Sequence, residues 1–329
     1  MNKTINWGII GCGDVTEVKS GPAFQKVTGF ELMAVMRRNK AKLIDYAKRH
    51  HIEKYYTDAD QLINDEEIDA VYIATPPDSH KEYALKVAQA RKICCIEKPL
   101  APSYADSLAI TEAFKAQKVP LFVAYYRRSL PRFMQIKRWI TAGDIGEIRH
   151  ISWFYSCPPK EIDLNDEYNW RTDGNIAKAG YFDDLACHGL DLFIYLLGDI
   201  DQATGFSTNQ LSLYSAKDAV SAAWIHKSGI TGSGSWNFGT HHFEDQVQII
   251  GSKGKIEFSV FKDESIFLDA LDKKEQLFVE HPENIQFFHV ENIKKHLFHN
   301  SYTHPSTGDT ATHVAWVMDE ILNNSSYTK

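Results

Sequence analysis

The chain has 329 residues, of which 43% are hydrophobic and 24% are charged, and its formal net charge is −7. This composition is typical of a globular protein, and the length favours two domains because single cores stop growing near about 250–300 residues. The acidic balance argues against a nucleic-acid surface, and no run approaches the ~18 apolar residues of a membrane span. The five scattered cysteines lack metal-binding spacing, so we expect reduced thiols in a cytoplasmic protein.

The first third of the chain alternates short apolar runs with amphipathic segments. The apolar runs predicted as strands are residues 7–10, 30–36, 70–74, 93–96 and 121–124. The segments with helical periodicity are residues 40–50, 80–90 and 104–117. Strands that alternate with helices indicate βαβ units, and nearly continuous apolar strands are typical of a parallel sheet covered on both faces. We therefore predict an α/β fold whose N-terminal part is a Rossmann domain, a doubly wound parallel sheet.

The pattern changes after residue 125. The predicted elements are helices at 130–142, 181–197 and 309–322, a strand at 147–155, and several strands between 202 and 279 with turns at 227–229, 251–254 and 272–274. Such a run of strands predicts a large open, mostly antiparallel sheet. We predict a dinucleotide-binding domain at 1–124 and an α+β domain for substrate binding and oligomerisation at 125–329.

A glycine-rich turn follows the first predicted strand. Its residues are Gly11, Cys12, Gly13, Asp14 and Val15. A dinucleotide-binding fold places a tight turn here, and the N–H groups of the helix that follows face the pyrophosphate. Thr16 replaces the third glycine of the usual fingerprint, so the pattern also fits a turn without a ligand. We favour dinucleotide binding, and we expect Gly21-Pro22 to interrupt the helix because proline lacks an N–H.

The end of the second predicted strand bears on the choice of cofactor. An acidic residue about 20 positions after the glycines binds the ribose of NAD, whereas an arginine accommodates the 2′-phosphate of NADP. This strand ends in Arg37 and Arg38, without a carboxylate. Guanidinium groups suit phosphate because they offer paired planar donors, although two arginines at a strand end are also common as solvated residues. We predict NADP as the preferred cofactor and NAD as the alternative.

Two further segments follow predicted strands at the edge where ligands bind in doubly wound sheets. The residues of these segments assigned to the cofactor are Thr75, Pro76, His80, Glu97 and Lys98. A lysine at this edge can polarise a carbonyl or hydroxyl oxygen. The alternative is that Glu97-Lys98-Pro99 only ends a strand.

A polar stripe lies on the predicted helix at 181–197. Asp184, His188 and Asp191 are spaced by four and three residues, so they share one helix face. A histidine flanked by carboxylates has a fixed tautomer and a tunable pKa, which suits it to remove a hydroxyl proton while hydride leaves the same carbon. The alternative is a hydrogen-bonded histidine at a domain interface.

Together these segments resemble the Gfo/Idh/MocA oxidoreductases, which include glucose–fructose oxidoreductase and inositol dehydrogenase. The resemblance covers nearly the whole chain. Its motifs are residues 7–13, residues 74–77 with His80, residues 97–99, Trp170-Arg171, Asp184 with His188 and Asp191, and residues 249–254. The chain departs from the family at residues 178–181, where members often have a glycine triplet, and at Thr16.

The resemblance implies a role for each site residue. Lys98 would contact nicotinamide and substrate, Asp184 would bind substrate and orient the histidine, and His188 would be the general acid/base. The Lys98–Pro99 bond would be cis, and Arg38 would match the arginine of NADP-dependent members. The residues implied to line the substrate pocket are Lys98, Tyr126, Arg127, Trp170, Arg171, Asp184 and His188. The exposed sheet would form a homodimer or homotetramer.

The predicted activity is reversible hydride transfer between NADP(H) and a hydroxyl or ketone carbon of a small sugar-like polyol. Two alternatives remain open: a glycoside-cleaving enzyme that uses NAD transiently, and a cofactor-sensing regulatory protein without turnover. We expect no metal, because His241-His242 lacks a third ligand at a suitable spacing. The basic residues Arg127, Arg128, Arg132, Lys137 and Arg138 are expected to form a solvated helix face.

Overall fold

The computed structural model describes residues 4–165 and 167–323. It divides into one compact unit of Met1–Ser129 with Pro282–Thr312 and another of Leu130–His281 with His313–Lys329. The division after Ser129 lies five residues beyond the predicted boundary at 124, and residues 282–312 belong to the first unit, not to the second as predicted. The outer limits of both predicted domains, residues 1 and 329, lie outside the described residues.

The first unit contains a six-stranded parallel sheet. Its strands are β1 (Ile5–Ile10), β2 (Phe30–Met36), β3 (Lys54–Tyr56), β4 (Ala70–Ile73), β5 (Ile93–Ile96) and β6 (Leu121–Val123). They lie in the order β3-β2-β1-β4-β5-β6, and each neighbouring pair is parallel. This is the strand order of the doubly wound dinucleotide-binding fold, so the predicted Rossmann architecture is confirmed. The sequence reading missed β3, which has only three residues, none of them fully buried.

Helices connect these strands. They are α1 (Asp14–Val18), α2 (Gly21–Lys26), α3 (Lys40–Arg49), α4 (Ala59–Ile63), α5 (His80–Gln89) and α6 (Tyr104–Gln117). Trp7 of β1 packs against the rings of Phe24 and Phe30, at centroid distances of 4.6 and 5.4 Å. All three side chains are buried, and large aromatic groups of this kind dominate the energy of a core.

The second unit contains an eight-stranded sheet. Its strands are β7 (Ile148–Ser156), β8 (Ile200–Thr208), β9 (Ala219–His226), β10 (Thr231–Asn237), β11 (Glu244–Gly251), β12 (Gly254–Phe258), β13 (Ile266–Ala270) and β14 (Lys273–Leu277). Their order is β14-β13-β12-β11-β7-β10-β9-β8. Only the pair β10–β7 is parallel among these strands, so the predicted mostly antiparallel sheet is confirmed.

Helices α7 (Pro131–Ala142), α8 (Glu161–Leu164) and α9 (Tyr181–Leu197) precede most of this sheet in the chain. Helix α9 packs on the face that carries Trp153 and Trp224, since the Phe193 ring lies 5.6 and 6.1 Å from their rings. A Cβ on Gly189 would lie 2.2 Å from the Trp153 ring. Glycine at this position therefore allows the helix to approach the sheet closely.

The chain ends in α10 (Phe287–Phe298), within the first unit, and α11 (Gly308–Leu322). Val290 and Ile293 of α10 belong to the same buried cluster as Trp7 and Phe24. This burial explains why residues 282–312 fold with the first unit. No helix of the described residues is long and apolar enough to cross a membrane.

The interruption predicted at Gly21-Pro22 is confirmed: α1 ends at Val18 and α2 begins at Gly21. In a continuous helix the N–H of residue 22 would bond to the carbonyl of residue 18, but proline has no N–H. The Asn284 side-chain amide donates to that Val18 carbonyl instead, at 2.7 Å. The Gln286 backbone N–H likewise donates to the Lys19 carbonyl, at 3.1 Å. Residues 282–312, the returning segment, thus supply donors to the carbonyls that the break between α1 and α2 leaves unpaired.

The prediction of a solvated basic face is confirmed for Arg138, which is exposed, but it is wrong for the three other arginines. Arg127, Arg128 and Arg132 are buried. Arg128 donates to the Pro305 carbonyl at 2.9 Å, and Arg132 donates to the Lys262 carbonyl at 2.7 Å. Lys137 donates to two carbonyls in the last turn of α9, those of residues 195 and 196. These cations satisfy backbone acceptors, so a cluster of positive charge in the sequence does not by itself indicate exposure.

Candidate functional site

The predicted cofactor residues of the first unit gather at one edge of the parallel sheet. Strands β1, β4 and β5 are neighbours, and their carboxyl ends lead into Gly11, Thr75 and Glu97. The turn after β1 is anchored by the Gly11 and Cys12 N–H groups, which donate to the Met36 carbonyl at 2.9 and 3.2 Å. The edge therefore brings together segments that are far apart in sequence, at the place where doubly wound sheets bind ligands.

The glycine turn fits a dinucleotide. Gly11 has φ +91°, and a Cβ there would lie 2.7 Å from Thr75 Cγ2 and 3.0 Å from the Thr75 backbone nitrogen. A Cβ on Gly13 would meet only the Gly11 carbonyl oxygen, at 3.9 Å, so the space beside Gly13 is open. The first N–H groups of α1, on Asp14 and Val15, have no acceptor within the helix. Gly11 thus serves the turn, and Gly13 leaves room for a phosphate to approach the backbone.

The side chains of Thr16 and Cys12 are both buried in this turn. Thr16 is buried, and its hydroxyl donates to the Gly13 carbonyl at 2.8 Å. Gly21 is also closely packed, since a Cβ there would lie 2.3 Å from the Thr16 carbonyl oxygen. Burial raises the pKa of the Cys12 thiol to about 11, so the thiol remains protonated at neutral pH.

Arg37 and Arg38 differ in their surroundings. The Arg37 guanidinium donates to the Cys12 carbonyl at 2.9 Å and so supports the glycine turn from β2. Arg38 is exposed one residue later, where Asn39 caps the N-terminus of α3 by accepting from the Lys42 N–H. The first turn of α3 carries no acidic residue. Arg38 is therefore the arginine with its donors available at this edge.

His80 connects two of the strand ends. Its Nε2 lies 2.8 Å from the Thr75 carbonyl oxygen, and its Nδ1 lies 3.0 Å from the Pro99 carbonyl oxygen. The ring is fully buried, and burial lowers the pKa of the imidazole. The residue between Thr75 and the 3₁₀ turn Pro77–Ser79 is Pro76, which has extended backbone. The Lys98–Pro99 peptide bond is cis, as the resemblance implies.

Glu97 lies in a buried polar network that the sequence reading missed. Its Oε1 accepts from the Tyr72 hydroxyl at 2.5 Å and from the Gln286 amide at 2.7 Å. Its Oε2 accepts from the Lys98 backbone N–H at 3.2 Å. Tyr72 was recognisable only as an aromatic residue in a buried strand, and Gln286 gave no signal because it contacts Glu97 across 189 positions. The predicted cofactor residue Glu97 thus shapes the backbone at Lys98.

In the second unit, α9 carries the predicted polar stripe. Asp184, His188 and Asp191 are all on this helix; His188 and Asp191 are buried, and Asp184 is nearly so. The helix begins after Gly180, whose φ is +61° and where a Cβ would lie 2.7 Å from the Lys217 carbonyl oxygen. The His188 ring stands edge-on to the Phe261 ring at 5.8 Å.

Trp170 and Arg171 lie in a 3₁₀ turn, Trp170–Thr172, beside this helix. The Arg171 Nε donates to Asp184 Oδ2 at 2.6 Å, and its guanidinium lies over the Trp170 ring at 4.4 Å. A charge-assisted bond of this kind fixes both side chains. The structure thus brings together three of the predicted substrate residues of the second unit.

The sequence reading missed a second polar cluster near the start of α9. The Tyr181 hydroxyl donates to Asp163 at 2.5 Å, and the Lys160 ammonium lies 4.0 Å from the centre of the Tyr181 ring. Partial burial and the neighbouring Arg171 lower the pKa of Lys160. These residues had no motif to identify them, because α8 is a single turn of four residues.

Asp183, adjacent to the predicted Asp184, has an unusual environment. Its Oδ2 accepts from the Ala179 N–H at 3.0 Å. Burial raises its pKa to about 7, and the carboxylates of Asp319 and Asp184 add to the rise. The two neighbouring carboxylates of α9 are therefore electrostatically distinct, since Asp184 has Arg171 as its partner.

The remaining predicted residues have these positions. Tyr126 and Arg127 lie in the 3₁₀ turn Tyr126–Ser129 of the first unit, with the Arg127 guanidinium 5.0 Å from the centre of the Tyr126 ring. His241 and His242 are exposed, and the described part of the chain contains no group of three or more His, Cys, Asp or Glu residues that could hold a metal ion. All five cysteines are described; each is buried and none forms a disulfide.

Comparison with known proteins agrees with this architecture. Residues 5–125 match the family model described as "Oxidoreductase family, NAD-binding Rossmann fold", and residues 133–257 match the Gfo/Idh/MocA C-terminal domain. Oxidoreductase P35 of Formosa agariphila is 38% identical over 323 residues, which cover 97% of this chain and 98% of that protein.

More distant relatives match over part of their length. Levoglucosan dehydrogenase of Pseudarthrobacter phenanthrenivorans is 30% identical over 206 residues, 63% of this chain and 49% of that protein. The scyllo-inositol 2-dehydrogenase (NAD(+)) of Bacillus subtilis is 29% identical over 201 residues, 60% of this chain and 55% of that protein. This chain thus aligns with about half the length of each.

Solved structures share the fold. Levoglucosan dehydrogenase in complex with NADH has a TM-score of 0.85 at 23% identity, with 97% of this chain and 96% of that chain covered. The match of both family models, together with the full-length similarity to Oxidoreductase P35, leads to one conclusion: the chain belongs to the Gfo/Idh/MocA family of oxidoreductases, with an NAD-binding Rossmann fold in its first unit.

Proposed function

We propose that this protein is a dehydrogenase that acts on a CH–OH carbon of a sugar or cyclic polyol. The observation that carries the proposal is the presence of Lys98 at the cofactor edge of the Rossmann sheet and of Asp184 and His188 on one helix of the family's C-terminal domain. Relatives named levoglucosan dehydrogenase and scyllo-inositol 2-dehydrogenase support a ring-shaped polyhydroxyl substrate.

The proposed reaction assigns a role to each side chain. His188 accepts the hydroxyl proton of the substrate as the C–O bond becomes a C=O bond, and it returns the proton in the reverse direction. Lys98 donates a hydrogen bond to the same oxygen and stabilises its negative charge. Asp184, held by Arg171 at 2.6 Å, binds a substrate hydroxyl and orients His188. The nicotinamide, when bound, accepts or supplies the hydride.

For the cofactor we propose NADP(H) in preference to NAD(H). The Gly11 turn and the open space at Gly13 suit the pyrophosphate of either one. The support for NADP is the exposed Arg38 after β2 and the absence of an acidic residue in the first turn of α3. A guanidinium there would bind a 2′-phosphate through paired hydrogen bonds.

The proposal is tested by Lys98→Met and His188→Asn, with a panel of sugars and cyclic polyols and with NADP or NAD. We expect each variant to lose about 10²–10⁴-fold in kcat. Binding of the reduced cofactor, followed by its fluorescence, should persist. His241→Asn, an exposed histidine of the same unit, is the control and should match the wild type.

Three outcomes would count against a dehydrogenase. Wild-type activity in both Lys98→Met and His188→Asn would contradict the catalytic roles assigned to these two residues. Cleavage of a glycoside without net reduction of cofactor would indicate the transient-redox enzyme. Cofactor binding without turnover of any compound in the panel would indicate the regulatory protein.

We also propose that the protein is a homo-oligomer formed through the open face of the eight-stranded sheet. That face exposes large apolar side chains, which favour burial against a partner. They are Phe154, Phe206, Ile225, Ile250 and Phe267. The resemblance to the family supports a second copy of the chain as the partner, in a homodimer or homotetramer.

For the location we propose the cytoplasm. All five cysteines are buried thiols, including the adjacent pair Cys94 and Cys95. An oxidising compartment favours disulfides, whereas the cytoplasm keeps thiols reduced. Fractionation of the source cells, followed by immunodetection, tests the location; recovery outside the cytoplasmic fraction would contradict it.

A further inference from the structure

The Glu97 carboxylate accepts hydrogen bonds from two remote side chains and from one backbone N–H of the first unit. Tyr72 comes from β4, and its hydroxyl donates to Oε1 at 2.5 Å. Gln286 comes from the returning segment, and its Nε2 donates to the same oxygen at 2.7 Å. The other oxygen, Oε2, accepts the Lys98 backbone N–H at 3.2 Å. The carboxylate therefore links two remote donors to the backbone of the proposed catalytic lysine.

The orientation of the Gln286 amide is dictated by this contact. Gln286 is fully buried, and its Oε1 has no hydrogen-bond partner among the described residues. The opposite orientation would direct a carbonyl oxygen at the carboxylate oxygen. A buried acceptor without a donor costs free energy, so such groups in native proteins need a reason. The hydrogen bond that Nε2 donates to Glu97 Oε1 is the only one made by the Gln286 side chain within the described residues.

The backbone of Gln286 has an anchor of its own. Its N–H donates to the Lys19 carbonyl at 3.1 Å, and its carbonyl accepts the Val290 N–H at 3.0 Å as α10 begins. The side chain can therefore be altered while the segment stays in place. Two residues earlier, Asn284 is also buried and donates to the Val18 carbonyl at 2.7 Å, but it does not reach Glu97.

We propose that Gln286 is a positioning residue for Lys98 and acts through the Glu97 carboxylate. The inference rests on the proposed dehydrogenase function. With the Gln286 donor in place, Glu97 keeps a single orientation and Oε2 continues to accept the Lys98 N–H. Without it, the carboxylate turns toward Tyr72, and the hydrogen bond from the Lys98 N–H to Oε2 is weakened. Hydride and proton transfers are sensitive to displacements of this size, since about 1 Å can cost ~10²-fold in rate.

The test compares Gln286→Leu with Asn284→Leu. We expect Gln286→Leu to lower kcat by about tenfold or more while KM for the cofactor changes by less than about threefold, because only the transition-state geometry is disturbed. Asn284→Leu removes a buried amide of the same segment and should lower the Tm but leave kcat within about twofold of the wild type. Tyr72→Phe, which removes the other donor on Oε1, should reproduce the kcat effect.

A second measurement does not need turnover. The rate of Lys98 acylation by a lysine-specific reagent, followed across pH by peptide mass spectrometry, reports the exposure and basicity of its ammonium. We expect this profile to shift in Gln286→Leu and to stay unchanged in Asn284→Leu. In a Glu97→Gln background the effect of Gln286→Leu should largely vanish, because the two residues act as one unit.

The outcomes separate this inference from the proposed function. Equal losses of kcat in Gln286→Leu and Asn284→Leu would mean that Gln286 only anchors the segment, and the inference would be wrong. An unchanged acylation profile in Gln286→Leu would also overturn it. If the wild type turns over no sugar, the proposed function fails, and the acylation profiles alone decide whether Gln286 positions Lys98.

Discussion

Gly11 and Gly13 show how two residues of one type in one turn have different physical roles. Gly11 combines a φ of +91° with a backbone neighbour at 3.0 Å, so a side chain there is both strained and crowded. Gly13 has an ordinary φ of −126° and an open side. The fold requires glycine at position 11, whereas glycine at position 13 is required only for the approach of a cofactor phosphate.

We therefore predict opposite patterns for two alanine substitutions. Gly11→Ala should destabilise the fold by about 1–3 kcal/mol and also weaken cofactor binding. Gly13→Ala should leave the Tm nearly unchanged but weaken the cofactor, because the added methyl occupies the space where a phosphate meets the backbone. Thermal unfolding and cofactor titration measure the two effects. Loss of stability in Gly13→Ala with full binding would contradict the assignment.

Arg38 provides a residue-scale test of cofactor choice. A charge-assisted hydrogen bond contributes about 1.5–3 kcal/mol, so Arg38→Ala should lower the ratio of kcat/KM for NADP to that for NAD by roughly 10–100-fold. Lys40→Ala, an exposed cation in the first turn of α3, is the control for general charge. An unchanged ratio in Arg38→Ala would argue that the arginine is only solvated.

At the scale of elements, helix α9 depends on a close approach to the sheet. Gly189→Ala would normally stabilise a helix by about 0.5–1 kcal/mol through propensity. Here the new methyl would lie 2.2 Å from the rigid Trp153 ring, and overpacking of this kind costs about 1–3 kcal/mol or more. The steric cost is the larger, so we predict a lower Tm. An increase in Tm would show that the ring can move aside.

The first turn of α9 also carries a pH dependence. The pKa of Asp183 is about 7 in the folded protein, against the ordinary aspartate value of 3.8. The folded state therefore binds more protons than the unfolded state between these values, and stability falls as pH rises from about 4 to about 7. Asp183→Asn removes this loss, so its stability relative to the wild type should increase with pH, by at most about 4 kcal/mol.

Urea unfolding of both proteins at several pH values between 5 and 8 measures that difference. Asp201→Asn, which removes an exposed carboxylate of the same unit, should give a constant difference across this range. Parallel stability curves for the wild type and Asp183→Asn would contradict the raised pKa.

At the scale of the whole molecule, the exposed sheet face predicts the state of assembly. Phe206 on β8 is 75% exposed, more than the other large apolar side chains of that face. Phe206→Asp would place a charge in the proposed interface, so we predict a lower molar mass by light scattering. Tyr168→Asp, at a side chain 77% exposed outside the strands, should keep the wild-type mass. A wild type that is already monomeric would rule out the proposed assembly.

Local periodicity determined much of this protein from its sequence. The helix predicted at 181–197 has those limits in the structure, and the apolar runs at 30–36 and 93–96 are strands with those limits. A helix or strand buries one face or two, so the spacing of apolar residues within the segment is enough to identify it. The turn at Gly11, the break at Gly21-Pro22 and the motif residues Lys98, Asp184 and His188 were visible for the same reason: each is defined by near neighbours in the chain.

Only the tertiary structure decided which distant groups meet. The burial of Arg132, the parallel pairing of β10 with β7, and the return of residues 282–312 to the first unit depend on partners more than 70 positions away. The helix break at Pro22 predicts carbonyls that need donors, but no local pattern indicates that Asn284 and Gln286 supply them. Hydrogen bonds between remote residues leave no periodic trace, because any polar residue in the right place can make them. The sequence therefore determined the elements and the candidate chemistry, and the fold decided how Glu97, and with it Lys98, is held.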